Sequence, residues 1–237
     1  MENIEEELKN AARSLGIKLY DDQLSAFQIY MELLLEWNKK INLTAIIEPK
    51  EIVEKHFLDS LTLLRACKFK EGSKILDVGT GAGFPGIPLK IVRPDLQITL
   101  LDGSNKRLNF LREVCSKLHL NCESIHKRAE EFGLDKNVRE SFDVVTARAV
   151  APLNILSEYC LPLVKMKGYF VAMKGPGAKE ELTIASNALE TLGGDDMKIF
   201  SLSLPNAGER NLVIIRKLKF TPKIYPRHGG TILKHPL

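Results

Sequence analysis

Residues 75–88, Ile-Leu-Asp-Val-Gly-Thr-Gly-Ala-Gly-Phe-Pro-Gly-Ile-Pro, constrain the fold more than any other stretch of the chain. The apolar run Ile75, Leu76, Val78 predicts a short strand. Gly79, Gly81, Gly83 and Gly86 predict a turn, and the pattern from Ile87 a helix. Glycine suits such a turn because it reaches positive φ without strain and leaves no Cβ between main chain and a bound nucleoside. A ligand-free connection rarely needs so many glycines.

Beyond Ser73, strand-like and helix-like stretches alternate, which implies a parallel sheet with helices on both faces. Strands are expected at Lys74–Val78, Gln97–Asp102, Cys122–His126, Phe142–Ala147 and Tyr169–Met173. Helices are expected from Ile87 to Pro94, from Asn105 to Leu118, from about Pro152, and from Ala178 to Leu192. Two further strands, Lys198–Leu204 and Leu212–Leu218, are joined only by Pro-Asn-Ala-Gly-Glu-Arg; they form a hairpin, so one strand runs antiparallel. Upstream of the sheet the chain reads as helical. Ile4, Leu8, Ala11, Ala12 and Leu15 end at a Gly16 cap, and Leu24, Phe27, Met31 and Leu34 stripe a helix that Asp21 or Asp22 would cap. Pro49 suits the first turn of a third helix through His56 to about Ala66. The expected organisation is a helical extension over 1–68, an α/β core over 69–220 and a basic, extended tail over 221–237.

The glycine spacing bears on the cofactor. A dinucleotide fingerprint needs G-x-G-x-x-G directly after the strand. Counted from Gly79, its third glycine falls on Phe84; only the frame Gly81, Gly83, Gly86, two residues late, satisfies it. An acid at the strand end, Asp77, followed by G-x-G-x-G is instead what S-adenosylmethionine (SAM) sites of Rossmann-like methyltransferases look like. That cofactor has no pyrophosphate and needs no phosphate-cradling helix start.

At 237 residues and 44% hydrophobic, the chain can bury one good core. Its longest apolar stretches, such as Phe170 to Met173, fall far short of the roughly 20 residues of a membrane helix. The first residues are acidic where a secretory signal would be basic and then apolar, so a cytoplasmic protein is expected. Cys67, Cys115, Cys122 and Cys160 form no C-x-x-C pair and no zinc spacing, which points to reduced structural thiols and no metal. Net charge is +4, and from Arg210 onward there are seven cations and no acid, a distribution that fits phosphate contact.

In an open parallel sheet, ligands bind at the carboxyl ends of the strands. Asp102 ends the second strand, where a carboxylate can accept both ribose hydroxyls while Ser104 caps the next helix. Arg128, Ala129 and Glu130 follow the third strand, where main chain could meet an adenine edge; Glu130 could equally be a helix-starting acid. After the fourth strand, Thr146 to Pro152 contain neither the Asn-Pro-Pro-Tyr-like turn used on exocyclic amines nor a cysteine nucleophile. What remains is an acceptor already nucleophilic at neutral pH, such as a purine N7 lone pair. Catalysis is then chiefly alignment. Arg148 could hold a cofactor carboxylate or an RNA phosphate, and Lys174 and the tail residue Arg227 could contact substrate phosphate. His56 reads as a packed, hydrogen-bonded histidine and Trp37 as core.

Taken together, Glu36-Trp37-Asn38 with Ile41-Asn42-Leu43-Thr44, Lys55 to Ser60, Asp77 to Gly86, Asn105-Lys106-Arg107, Arg128-Ala129-Glu130, Thr146 to Ala149 and Arg210-Asn211 resemble the glucose-inhibited division protein B family. These are bacterial small-subunit rRNA guanine-N7 methyltransferases. The resemblance covers nearly the whole chain. It implies a Rossmann-like class I fold with a mostly parallel seven-stranded sheet and an N-terminal helical extension. It also implies SAM as methyl donor, 16S rRNA or the small ribosomal subunit as partner, and cofactor contacts around Gly79, Phe84, Ala129, Glu130 and Arg148, to which the glycine turn itself adds Gly81 as a candidate. Two other readings make distinct predictions: a nicotinamide-dependent oxidoreductase would bind NAD and no SAM, and a non-catalytic SAM- or RNA-binding module would bind without transferring methyl.

Overall fold

The computed structural model describes residues 4–237; the first three positions of the acidic N-terminus lie outside the described residues. One seven-stranded sheet has the order β3-β2-β1-β4-β5-β7-β6. Its strands are β1 (Lys74–Val78), β2 (Gln97–Asp102), β3 (Cys122–His126), β4 (Phe142–Arg148), β5 (Val164–Lys174), β6 (Gly194–Leu204) and β7 (Gly208–Lys217). The first five strands pair in parallel, and β7 runs antiparallel to both β5 and β6. The first three strands keep their expected limits. By contrast β5 and β6 begin five and four residues early: Val164 pairs with Phe142 and Asp195 with Arg216 ahead of a shift in register, and the polar residues Lys165, Lys167, Asp196 and Lys198 at those irregularities hide the early pairing from the apolar pattern.

Strand β1 is apolar on both faces, as a central parallel strand must be. Ile75 points to one layer, with Leu8, Phe27, Leu34, Phe57 and Leu61 of the N-terminal helices; Leu76 and Val78 point to the other, with Leu153, Leu156 and Leu189. The N-terminal helices thus cover one face of the sheet. Of these, Asp21–Asn38 is tied down by Gln23, whose Oε1 accepts from the Tyr20 amide at 3.1 Å while its Nε2 donates to the Ile91 and Val92 carbonyls. Neither Asp21 nor Asp22 makes the expected cap.

The third expected helix, from Pro49 to Ala66, contains a π-helical turn over Val53–Leu58. Widened turns of this kind often occur at functional sites. Here three polar residues in or just beyond it, Glu54, His56 and Asp59, are buried.

The C-terminal segment is not extended. Arg139 donates to the Thr221, Pro222 and Tyr225 carbonyls at 2.7–3.2 Å, and Gly229–Lys234 forms a helix. Lys217, one of the seven late cations, is fully buried against the Leu161 carbonyl, Thr221 Oγ1 and Glu140. Burial lowers its ammonium pKa to about 8.

Candidate cofactor and acceptor site

Asp77 explains the shape of the glycine turn. Its Oδ2 accepts from Thr80 Oγ1 at 2.7 Å and from the Gly86 amide at 2.9 Å, closing the loop between β1 and the Gly86–Val92 helix. Gly79, Gly81 and Gly83 all have positive φ. At Gly83 a Cβ would also meet Leu111 and Tyr30 at 2.7 Å, so no side chain fits. Asp77 Oδ1 is buried without a hydrogen-bond partner, and burial pushes the carboxyl up to about 6.

The next carboxylate, Asp102, clasps two strand ends together. Its Oδ2 accepts from the Gly81 amide at 2.9 Å and its Oδ1 from the Ser104 amide at 2.8 Å, with Arg107 at 3.7 Å. The side chain of Ser104 makes no cap hydrogen bond, so the capping expected of it falls to Asp102. Lone pairs remain on both oxygens, and Asp102 lines a cavity of about 340 Å³ with Gly79, Leu101, Arg128, Ala129, Glu130 and Val150. Five of the expected site residues therefore converge: Gly79, Asp102, Ala129 and Glu130 on this cavity, and Gly81 through its amide on Asp102.

Phe84 and Arg148 go elsewhere. Phe84 is buried, its ring 4.5 Å from His56 and 4.9 Å from the Arg148 guanidinium. Arg148 faces a second cavity of about 380 Å³, with Lys55, His56, Asp59, Lys174 and Arg210. Here Asp59 takes Arg148 Nη1 on one oxygen and Arg210 Nε on the other, both at 2.9 Å. Arg148 also donates to the Lys55 carbonyl at 3.0 Å, and its Nη2 lies 3.3 Å from His56 Nδ1. Burial and then the Arg148 charge push His56 down to about 3, so the ring is neutral; its Nδ1 also lies 3.2 Å from the Lys55 carbonyl, and its Nε2 shares a hydrogen bond with Thr44 Oγ1 at 2.8 Å. Lys174 reaches this cavity but is held by the Ala151 carbonyl and Glu181. The expected phosphate contact Arg227 lies apart from both cavities, its guanidinium bound by Glu158.

A third, open cavity of about 770 Å³ adjoins the first, sharing Gly79, Asp102, Arg128 and Val150. Lys39, Lys40, Lys106 and Arg107 add four more cations to its walls. Asp59 and Arg210 stand in the sequence only within matched motif stretches, with no site role of their own, and this groove is not legible there as a unit. The signal for Lys106 and Arg107 was their place just after β2; the remaining residues meet only in three dimensions.

The first cavity fits the adenosine half of SAM. Gly79 brings bare main chain to its wall, with Val150 packed where a Cβ would stand, Asp102 offers acceptors to vicinal hydroxyls, and Ala129 adds only a methyl group to the lining. Together with the strand order, this makes the chain a class I SAM-dependent methyltransferase. In fold it matches a SAM-dependent O-methyltransferase from Thermotoga maritima, with a TM-score of 0.56 at 15% identity, covering 80% of this chain and 72% of that one.

The family model for rRNA small subunit methyltransferase G matches residues 23–213. Ribosomal RNA small subunit methyltransferase G of Desulforamulus reducens is 53% identical over 97% of both chains, and that of Bacillus subtilis is 50% identical over 99% of both. The chain belongs to the rRNA small subunit methyltransferase G family. Membership sets aside the nicotinamide reading. Among the described residues no helix is long and apolar enough to cross a membrane, and no cluster of three metal-binding side chains occurs.

Proposed function

We propose that the protein transfers the methyl group of SAM to N7 of one guanine in 16S rRNA of the small ribosomal subunit, acting in the cytoplasm. The observation that carries this reading is the shared wall between the first cavity and the basic groove. A slot suited to adenosine opens directly into a channel whose five cations suit RNA phosphate. When bound, SAM supplies an electrophilic methyl on a sulfonium.

In this reading, the chain's own residues bind and align. Gly79 and Gly81 offer main chain to the cofactor, Asp102 accepts its ribose hydroxyls, and Ala129 and Glu130 border its adenine. Phe84, at the far end of the glycine turn, backs the Arg148 guanidinium, which faces the second cavity on the acceptor side. A purine N7 carries its lone pair at neutral pH and needs no general base. The second cavity agrees with that chemistry: His56 is neutral with its ring nitrogens engaged, and Asp59 is held between two guanidiniums. Lys174 faces the same space and would border the RNA. Holding donor and acceptor in line can supply several kcal/mol of rate acceleration.

The test is transfer of labelled methyl from SAM to small subunits, and in parallel to naked 16S rRNA, both from cells lacking the protein, followed by identification of the modified base. Label on a single N7-methylguanine is the expected result. SAM binding without label on either RNA would leave a binding module instead.

A further inference from the structure

The late cations fit RNA in the sequence, yet the structure turns the segment that carries the last two, Arg227 and Lys234, toward the first cavity. Gly229, Gly230 and Leu233 line it alongside Ala129, Glu130 and Tyr159. The fit is close at Gly229, where a Cβ would overlap the Glu130 carboxylate. The segment is also firmly held. Arg227 places its Nε and Nη2 on Glu158 at 2.7–3.2 Å, and Glu158 also accepts from the Arg227 amide at 2.8 Å. Glu158 is fully buried, and that arginine is its ion-pair partner, so breaking the contact would leave a buried carboxylate unpaired. One helix, Leu153–Cys160, therefore carries both the anchor, Glu158, and a cavity wall, Tyr159.

We infer that residues 226–237 form part of the cofactor site: the Arg227–Glu158 pair latches the terminal helix, and Gly229, Gly230 and Leu233 complete the adenine side of the cavity. This inference rests on the first cavity being the SAM site. It assigns the terminal residues to cofactor affinity and not to RNA affinity. Leu233 is 61% exposed, as a residue at the rim of an open slot should be, and can be changed without disturbing the core.

The experiment measures dissociation constants for SAM and for S-adenosylhomocysteine by calorimetry, and for a 16S rRNA fragment by filter binding. It uses the full chain, a chain ending at Tyr225, and the Leu233→Asp variant, with circular dichroism on each. Removing 226–237 should weaken both cofactor ligands at least tenfold, and Leu233→Asp about fivefold, with RNA affinity unchanged within twofold. Should the shortened chain fail to fold, Leu233→Asp alone decides. Cofactor affinity of that variant equal to the full chain's, or a loss confined to RNA binding, would overturn the inference. A full chain that binds no SAM would instead overturn the reading of the cavity on which it rests.

Discussion

The two cavities at the carboxyl edge of the sheet are built by opposite means. Around the first, positions are fixed by main chain: Gly81 and Ser104 amides hold Asp102, and Gly86 holds Asp77. Around the second, positions are fixed by side chains drawn from three distant parts of the sequence, with Asp59 joining Arg148 to Arg210. A local main-chain frame suits a ligand that is the same in every turnover. A charge network suits a partner that must be seated and then released. This contrast is sharpened most by Asp102→Ala, which removes an acceptor for ribose and the clasp on Gly81 together. SAM affinity should fall ~100-fold, since hydrogen bonds to a charged group contribute roughly 1.5–3 kcal/mol each. Calorimetry checks it; unchanged affinity would sink the ribose assignment.

Asp59→Ala tests the other side. Two guanidiniums would lose their shared carboxylate, whose side chain is only 7% exposed, costing about 3 kcal/mol of stability. Methyl transfer should fall about 30-fold through misplacement of Arg148, while SAM affinity stays within about twofold. Single-turnover rates and calorimetry separate the two effects. A parallel loss of SAM affinity would show that the cavities are one site and erase the contrast.

That contrast also explains what could be read from sequence. Asp102 was legible because a strand end and its turn are local features, and so were Gly79, Ala129 and the sheet as a whole. Arg148 was legible as a strand-end cation, but not its partner, because nothing near Asp59 in the chain marks it as lying beside a residue 89 positions away. The π-helical turn that buries Asp59 has no periodic signature, since one extra residue shifts a helix without breaking its apolar stripe. Three of the seven late cations were illegible for the same reason: charge composition says nothing of partners. Arg210, Lys217 and Arg227 each met an acid from elsewhere in the fold.

Acid titration gives the smallest effect and separates the two regions by sign. Beside the glycine turn, Asp77 has its pKa raised to about 6. Its folded form holds the proton more tightly than the unfolded chain, so its contribution is full below the unfolded value near 3.9 and is lost as pH rises through 6. Beside the second cavity, His56 has its pKa lowered to about 3. Its unfolded form takes up the proton first, so its contribution is full above about 6.5 and is lost as pH falls below that value. Going from pH 7 to pH 5, the parent chain should gain about 1 kcal/mol relative to Asp77→Asn and lose about 2 kcal/mol relative to His56→Gln. Urea unfolding of the three proteins at both pH values reads the differences directly, independent of what each substitution does at a single pH. Slopes of the same sign would mean that one of the two groups is solvated in the folded chain, and the region it belongs to would lose its claim to a dry, built interior.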